Sequence, residues 1–294
     1  YNILESGVLS TSSPAVNGIV CSGGTTVNVY NNFVADLRTP AASLADAIRG
    51  IAVTASQTNT KYNLYYNSVY INASSTGANF GTSGIYHTGS LTFSTSALNM
   101  IDNIIVNTST ANGTGLTAAY RRSNSNINNY AAASDYNLLY AGTPGIKNLI
   151  YFDGSNSDQT LAAFKTRMIF RDANSISSLP NFISSTDLHL TANNCTLDDK
   201  GIPIAGITND IDADTRSTTV PDIGADEFTA YNSGVLAGSA GSAVCRGKAV
   251  VSTGTLYIDG GCNRIAKGVP EGENQGTGEI STGVTLKASR LILK

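Results

Sequence analysis

The stretch Val27-Asn-Val-Tyr-Asn-Asn-Phe-Val-Ala-Asp-Leu37 decides the fold, because it returns twice and then fades. It comes back as Tyr62-Asn-Leu-Tyr-Tyr-Asn-Ser-Val-Tyr-Ile-Asn72 and as Leu98-Asn-Met-Ile-Asp-Asn-Ile-Ile-Val-Asn-Thr108. A shortened fourth copy reads Asp135-Tyr-Asn-Leu-Leu-Tyr140. Aligned this way, Asn32, Asn67, Asn103 and Asn137 form one column, at separations of 35, 36 and 34 residues. Asn28, Asn63 and Asn99 form a second column four residues upstream.

An independent marker keeps nearly the same period. Gly18-Ile19, Gly50-Ile51, Gly84-Ile85 and Gly115-Leu116 follow one another at 32, 34 and 31 residues. A repeat of roughly 20–50 residues is the signature of a solenoid. The runs between the markers are short and rich in Val, Ile, Tyr and Thr, broken by Gly, Ser and Asn, which is strand-and-turn chemistry. The long amphipathic runs that a helical solenoid needs are missing. Each period therefore reads as one coil of an all-β, right-handed parallel β-helix, with coils stacked about 4.8 Å apart.

Stacking gives the asparagines a purpose. A carboxamide both donates and accepts, so an inward-turned Asn column can bond along the axis as an amide ladder. Asn also tolerates the left-handed backbone of a corner. The competing view is a set of unconnected turn asparagines facing solvent. Val34, Val69, Ile105 and Leu139 share one position and should point into the coil, as should Val29, Leu64 and Met100 upstream.

Composition bounds the rest. The chain has 294 residues, 41% of them hydrophobic and only 13% charged, the latter about half the usual share. Polarity comes instead from Asn, Ser, Thr and Gly, as in extended β solenoids and many exported proteins. The net charge of −3 and the lack of a basic run argue against a nucleic-acid partner. No stretch approaches the ~20 apolar residues of a membrane span. Between Asp153 and Glu227, 12 acidic residues face 5 basic ones; this suits either bound cations or a solvated surface. Tyr1-Asn-Ile-Leu4 resembles the end of an earlier coil, so the chain is expected to belong to a longer polypeptide or assembly.

After Gly142 the period is lost, and 143–228 reads as a loop-rich closing region with one short helix over 156–168. Asn156 and Gln159 have capping-box spacing there, and Leu161, Phe164 and Met168 lie on one face. Thr160-Leu-Ala-Ala-Phe164, Asp172-Ala-Asn-Ser-Ile-Ser-Ser-Leu-Pro-Asn-Phe182, Asp187-Leu-His-Leu190, Asp210-Ile-Asp-Ala-Asp-Thr-Arg216 and Pro221-Asp-Ile-Gly-Ala-Asp-Glu-Phe228 follow. This series resembles the C-terminal signature of secreted right-handed parallel β-helix proteins of bacterial cell surfaces, especially those exported by the type IX route. The resemblance covers roughly residues 13–228 and is strongest over 160–228. It departs at Phe164, where the family commonly has Trp, and at Asn193-Asn-Cys-Thr196. It implies an extracellular, adhesin-like, multi-module protein, and it implies no single activity, because one scaffold hosts lyases, hydrolases and adhesins. Domain 1–228 would thus be the β-helix. Residues 229–294, rich in glycine, would be a small β-sandwich-like module, cut short at Lys294.

Several groups could carry chemistry. Asp210, Asp212 and Asp214 alternate like the first half of a calcium loop, which makes structural Ca2+ the one alternative to an expectation of no cofactor. Position twelve of such a loop is Pro221, so it is no EF-hand, and the alternative is that these acids pair with Arg216 and cap backbone amides. Tyr65, Tyr66 and Tyr70, with Tyr136 and Tyr140 at matching places, offer either a flat surface for stacking sugar rings or a simple covering of the sheet. A polysaccharide lyase of this fold needs Lys or Arg beside carboxylates on one outer face. Under the alignment, Arg38, Arg49, Lys61 and Arg121-Arg122 share no column with Asp36, Asp46, Asp102 or Asp135. A glycosidase would need two acids about 5–10 Å apart, and Asp102 and Asp135 fall one register apart. His87 and His189 lack metal-ligand spacing and read as packing or surface residues. Cys245 and Cys262, 17 apart, are expected to form a disulfide worth about 3 kcal/mol. Cys21 and Cys195 lie four or five coils apart and should be free and buried. The balance favours a non-catalytic β-helix acting in adhesion or surface assembly, with polysaccharide or other surface proteins as the alternative partners. The rival is a polysaccharide lyase or glycoside hydrolase of the β-helix type.

Overall fold

The computed structural model describes residues 16–230 and four further strands, 248–252, 255–259, 276–280 and 284–288. In chain order the strands are β1 (Val16–Cys21), β2 (Thr26–Tyr30), β3 (Phe33–Val34), β4 (Leu44–Val53), β5 (Lys61–Tyr65), β6 (Ser68–Ile71), β7 (Phe80–His87), β8 (Ala97–Ile101), β9 (Ile104–Asn107), β10 (Thr117–Arg122), β11 (Leu138–Tyr140), β12 (Asn148–Phe152) and β13 (Ser157–Asp158). One helix, α1 (Leu161–Met168), follows, and then β14 (Lys248–Ser252), β15 (Thr255–Asp259), β16 (Gly276–Ile280) and β17 (Val284–Ala288). Three sheets hold the first thirteen strands, in the orders β1-β4-β7-β10-β12-β13, β2-β5-β8 and β3-β6-β9-β11. All pairings in them are parallel except β12 with β13. Successive strands thus visit each sheet in turn, and the chain winds into a parallel β-solenoid of about four turns.

The register follows the repeat residue for residue. Val34 stands over Val69, Val69 over Ile105, and Ile105 over Leu139. Val29, Leu64 and Met100 stack likewise, and all seven are buried in the core. Ile19, Ile51, Ile85, Tyr120 and Tyr151 make a third column. Glycine beside it is required by close approach: a Cβ at Gly18, Gly50 or Gly84 would come within 2.4 Å of Val34, Val69 or Ile105. The fourth marker is displaced. Ala119-Tyr120, not Gly115-Leu116, continues this column, and Gly115 is a glycine because a Cβ would strike the Phe80 carbonyl. The winding also outlasts Gly142, since β12 adds a rung to the largest sheet.

Beyond that rung α1 lies against β12 and β13. It starts later than Asn156 suggests. Thr160 is the N-cap, its hydroxyl accepting from Ala163 N, while Asn156 is held by Asp153 in the preceding turn. Phe164 and Met168 are fully buried, with Phe164 5.5 Å from Tyr151 and 6.2 Å from Tyr120, ring to ring. The helix therefore closes the end of the core. Arg167 in its last turn, where a cation suits the helix dipole, grips both oxygens of Asp158 at 2.6 and 2.8 Å.

The described residues divide into two compact units, one of 16–189 with 199–227, the other of 190–198 with 228–230 and β14 to β17. Segment 190–198 falls in the second unit rather than the solenoid, Asp198 accepting from Ala230 N at 3.0 Å. In that unit β14 pairs with β15 and β16 with β17, both antiparallel. Cys245, Cys262 and residues 1–4 lie outside the described residues. Cys21 and Cys195 are thiols; Cys21 is buried as expected, but Cys195 is only half-buried. Among the described residues no helix is long and apolar enough to cross a membrane.

Candidate functional site

The asparagine column is a continuous chain of amide bonds. Asn32 Nδ2 donates to Asn67 Oδ1 at 2.8 Å, Asn67 to Asn103 at 2.9 Å, and Asn103 to Asn137 at 2.9 Å. The second Nδ2 hydrogen of each is taken by a backbone carbonyl: Tyr30, Val29, Leu64 and Met100 respectively. Asn137 ends the series by donating to Asp172 Oδ1 at 3.1 Å. Burial pushes the Asp172 carboxyl up to about 6, against the bonds from Tyr130, Ser175 and Asn137 that favour its charge. The left-handed corner belongs to the residue before each ladder asparagine: Asn31, Tyr66, Asp102 and Tyr136 have φ of 54°, 50°, 58° and 57°. The second column is weaker, with Asn63 donating to Asn28 at 2.8 Å and Asn99 turning to the Tyr65 hydroxyl at 3.0 Å.

Three of these corners, at Asn31, Tyr66 and Asp102, are covered by the segment 199–227. Tyr66 is fully buried; its hydroxyl donates to Ile202 O at 2.6 Å, and the Arg216 guanidinium lies 4.0 Å over its ring. Asp102 accepts from Ile202 N, and its carbonyl accepts from Gly224 N at 2.9 Å. Burial raises the Asp102 carboxyl to about 8. Asn31 donates to Asn209 O at 2.7 Å and accepts from Arg216 at 3.1 Å. Gly224, at φ 107°, leaves room for Ile104 that a Cβ would fill. Tyr66 is thus removed from any sugar-stacking face. Tyr65, Tyr70, Tyr136 and Tyr140 remain partly exposed, but Tyr70 packs 5.7 Å from Phe182. Tyr70 and Tyr140 both pair with Val106, so a whole coil separates them.

The acids of 210–214 divide by role. Asp210 Oδ1 accepts from Asp212 N at 2.9 Å and Asp214 N at 2.8 Å, and Oδ2 from Glu227 N at 2.9 Å. Both oxygens accept backbone amides, which is the capping role. Arg216 pairs with Glu227 at 3.2 Å rather than with the alternating acids. By holding 212 and 227 from one carboxylate, Asp210 also sets Asp212 and Asp226 near each other. His189, read from the sequence as inert, joins them: its Nε2 lies 2.7 Å from Asp212 Oδ2, and one ligand atom each of His189, Asp212 and Asp226 lies within 4.8 Å of the others. His189 Nδ1 bonds the Asp187 carboxylate, and Phe33 meets the imidazole edge-on at 4.8 Å. Burial disfavours the His189 charge, yet the bonds to Asp187 and Asp212 outweigh it and hold its pKa above the usual value. A cavity of about 550 Å³ opens beside it, lined by Asn32, Phe33, Asp36, Asp187, His189 and Ile211 among others. Only the separations 187, 189, 212 and 226 were legible in the sequence; their convergence depends on how the segment 199–227 folds back.

The outer face of the largest sheet brings together acid and base that the alignment kept apart. Asp46 Oδ2 pairs with Arg49 at 2.7 Å, and Asp46 Oδ1 meets Arg121 at 3.3 Å and Ser83 Oγ at 2.5 Å. The alignment missed this because Asp46 falls within the register shift between Leu44 and Ile48. Arg49 stacks 3.4 Å over Tyr86 and Arg121 4.9 Å over Phe152. His87 is sealed in the core, where Nε2 bonds Ser96 O at 2.7 Å and Arg122 donates to Nδ1 at 2.6 Å. Burial, then Arg122, keep its pKa well below the usual value. No protein-family model, curated protein or solved structure matches the chain.

Proposed function

We propose that the chain is the non-catalytic solenoid of a secreted or cell-surface protein, acting in adhesion or surface assembly. The observation that carries this reading is the state of the Asp46 clasp. It places basic groups beside a carboxylate as a lyase would, and both carboxylate oxygens are held by Arg49, Ser83 and Arg121 while the two guanidiniums rest on aromatic rings. Both basic groups that a lyase would turn toward its substrate are thus engaged within the clasp. Among the described residues β1, β2 and β3 of the first coil stand last in their sheets, and a strand edge left unpaired templates further strands, which fits an assembling role. The resemblance of residues 160–228 to surface β-helix proteins agrees with export.

The test is to display the chain on a non-adherent bacterium and to incubate the purified protein with a panel of acidic and neutral polysaccharides. Adherence or retention of a polysaccharide without new unsaturated or reducing ends is expected. New chain ends that vanish in Arg121→Ala would replace this reading with the lyase, and neither adherence nor retention would refute it.

A further inference from the structure

We propose that His189, Asp212 and Asp226 form a binding site for a divalent transition metal of the zinc type. The set goes beyond the adhesion reading and does not depend on it. Three features carry it. The ligand atoms come from three separate stretches of chain and still gather within 4.8 Å. Imidazole nitrogen, once a metal displaces its Nε2 proton, with two carboxylates is a donor set that suits zinc and its neighbours, whereas calcium takes six to eight oxygens. The imidazole is already aimed: Nδ1 is bonded to the Asp187 carboxylate, so Nε2 is the nitrogen that faces Asp212 at 2.7 Å. A carboxylate behind the far ring nitrogen is the usual support of a metal-bound histidine, fixing its tautomer and raising its basicity. Phe33 against the ring edge limits its rotation further.

The approach to the site is open, because the cavity of about 550 Å³ is walled by His189 and Asp187 themselves. Zinc–ligand bonds of about 2.0–2.1 Å put neighbouring ligands roughly 3.3 Å apart in a tetrahedron. The present spread of up to 4.8 Å must therefore tighten on binding, chiefly at Asp226. Asp212 is half-exposed and able to turn. The remaining position is left for water or for a donor arriving from the cavity. A metal here would pin the segment 199–227 to the stretch 183–189, so its effect should be on the cohesion of the closing region.

Chelator-treated full chain, titrated calorimetrically with zinc chloride and separately with calcium chloride, tests the site. One zinc per chain is expected, with the melting temperature rising on addition, and no heat from calcium. Affinity should fall at least about tenfold in His189→Ala and in Asp226→Asn, and roughly 10–100-fold in Asp187→Asn, where only the supporting carboxylate is altered. Cobalt in place of zinc should give a spectrum without thiolate charge-transfer bands. No zinc binding, equal binding by wild type and His189→Ala, a thiolate spectrum, or calcium bound in preference would each overturn the assignment. His189 is partly exposed and Asp187→Asn is isosteric, so two of the variants keep the test valid should Asp226→Asn fail to fold.

Discussion

A single asparagine in the middle of the ladder serves both of its neighbours. Asn67 accepts from Asn32 and donates to Asn103 and to Val29 O. Asn67→Leu would leave the buried Val29 carbonyl without this donor, at roughly 1–3 kcal/mol, and would break the bond from half-buried Asn32, whose amide keeps only its bond to Tyr30 O. A loss of about 2–4 kcal/mol in urea unfolding is expected, while exposed Asn28→Ala should stay within about 0.5 kcal/mol. The corner at Asp102 carries a pH signature. Its pKa is raised in the folded state from 3.8 to about 8, so folding favours the proton, and this contribution is full below 3.8 and lost as pH rises toward 8. Asp102→Asn mimics the neutral form and suits the left-handed corner. Its stability relative to wild type should therefore grow from pH 4 to pH 8 in urea midpoints; a constant difference would contradict a protonated Asp102. At this scale the ladder was legible because one residue type repeats at one spacing. Asp172 was not, being a different residue at the end of the series, and neither was the burial of Tyr66, whose partner Ile202 is 136 residues away.

Elements were legible where a period governs them and obscure where an end interrupts it. Gly115-Leu116 imitated the marker of the earlier coils, although the pairing runs through Ala119-Tyr120. Two unrelated needs for glycine, facing Ile105 at Gly84 and the Phe80 carbonyl at Gly115, look alike in sequence. The helix was legible from Leu161, Phe164 and Met168, but its start was not, since Asn156 and Thr160 both satisfy capping preferences and only one sits at the helix. Phe164→Ala should cost about 3–5 kcal/mol by opening a cavity under Tyr120 and Tyr151, and Thr160→Ala about 1 kcal/mol. Thermal unfolding of the two variants checks the order. Equal effects would mean that α1 is held by its cap and not by its buried face.

For the molecule as a whole, the solenoid was written in the repeat, and the closing region was not. Residues 199–227 have no period, and their course is fixed by particular contacts: Ile202 with Tyr66 and Asp102, Arg216 with Asn31, Ala225 with Ser68. That course decides which groups face one another, which is why His189 was passed over. Every assignment rests on coils stacked in register one repeat apart, and a cross-link reads this register directly. Asn28 and Asn63 are Cα partners in adjacent coils, within the ~4.4–6.8 Å span of a disulfide. The double variant Asn28→Cys with Asn63→Cys should close that bridge under mild oxidation, seen as one linked peptide by mass spectrometry, while Asn28→Cys with Lys61→Cys, offset along the strand, should not. Bridging of the offset pair in preference to the aligned one would contradict the fold described.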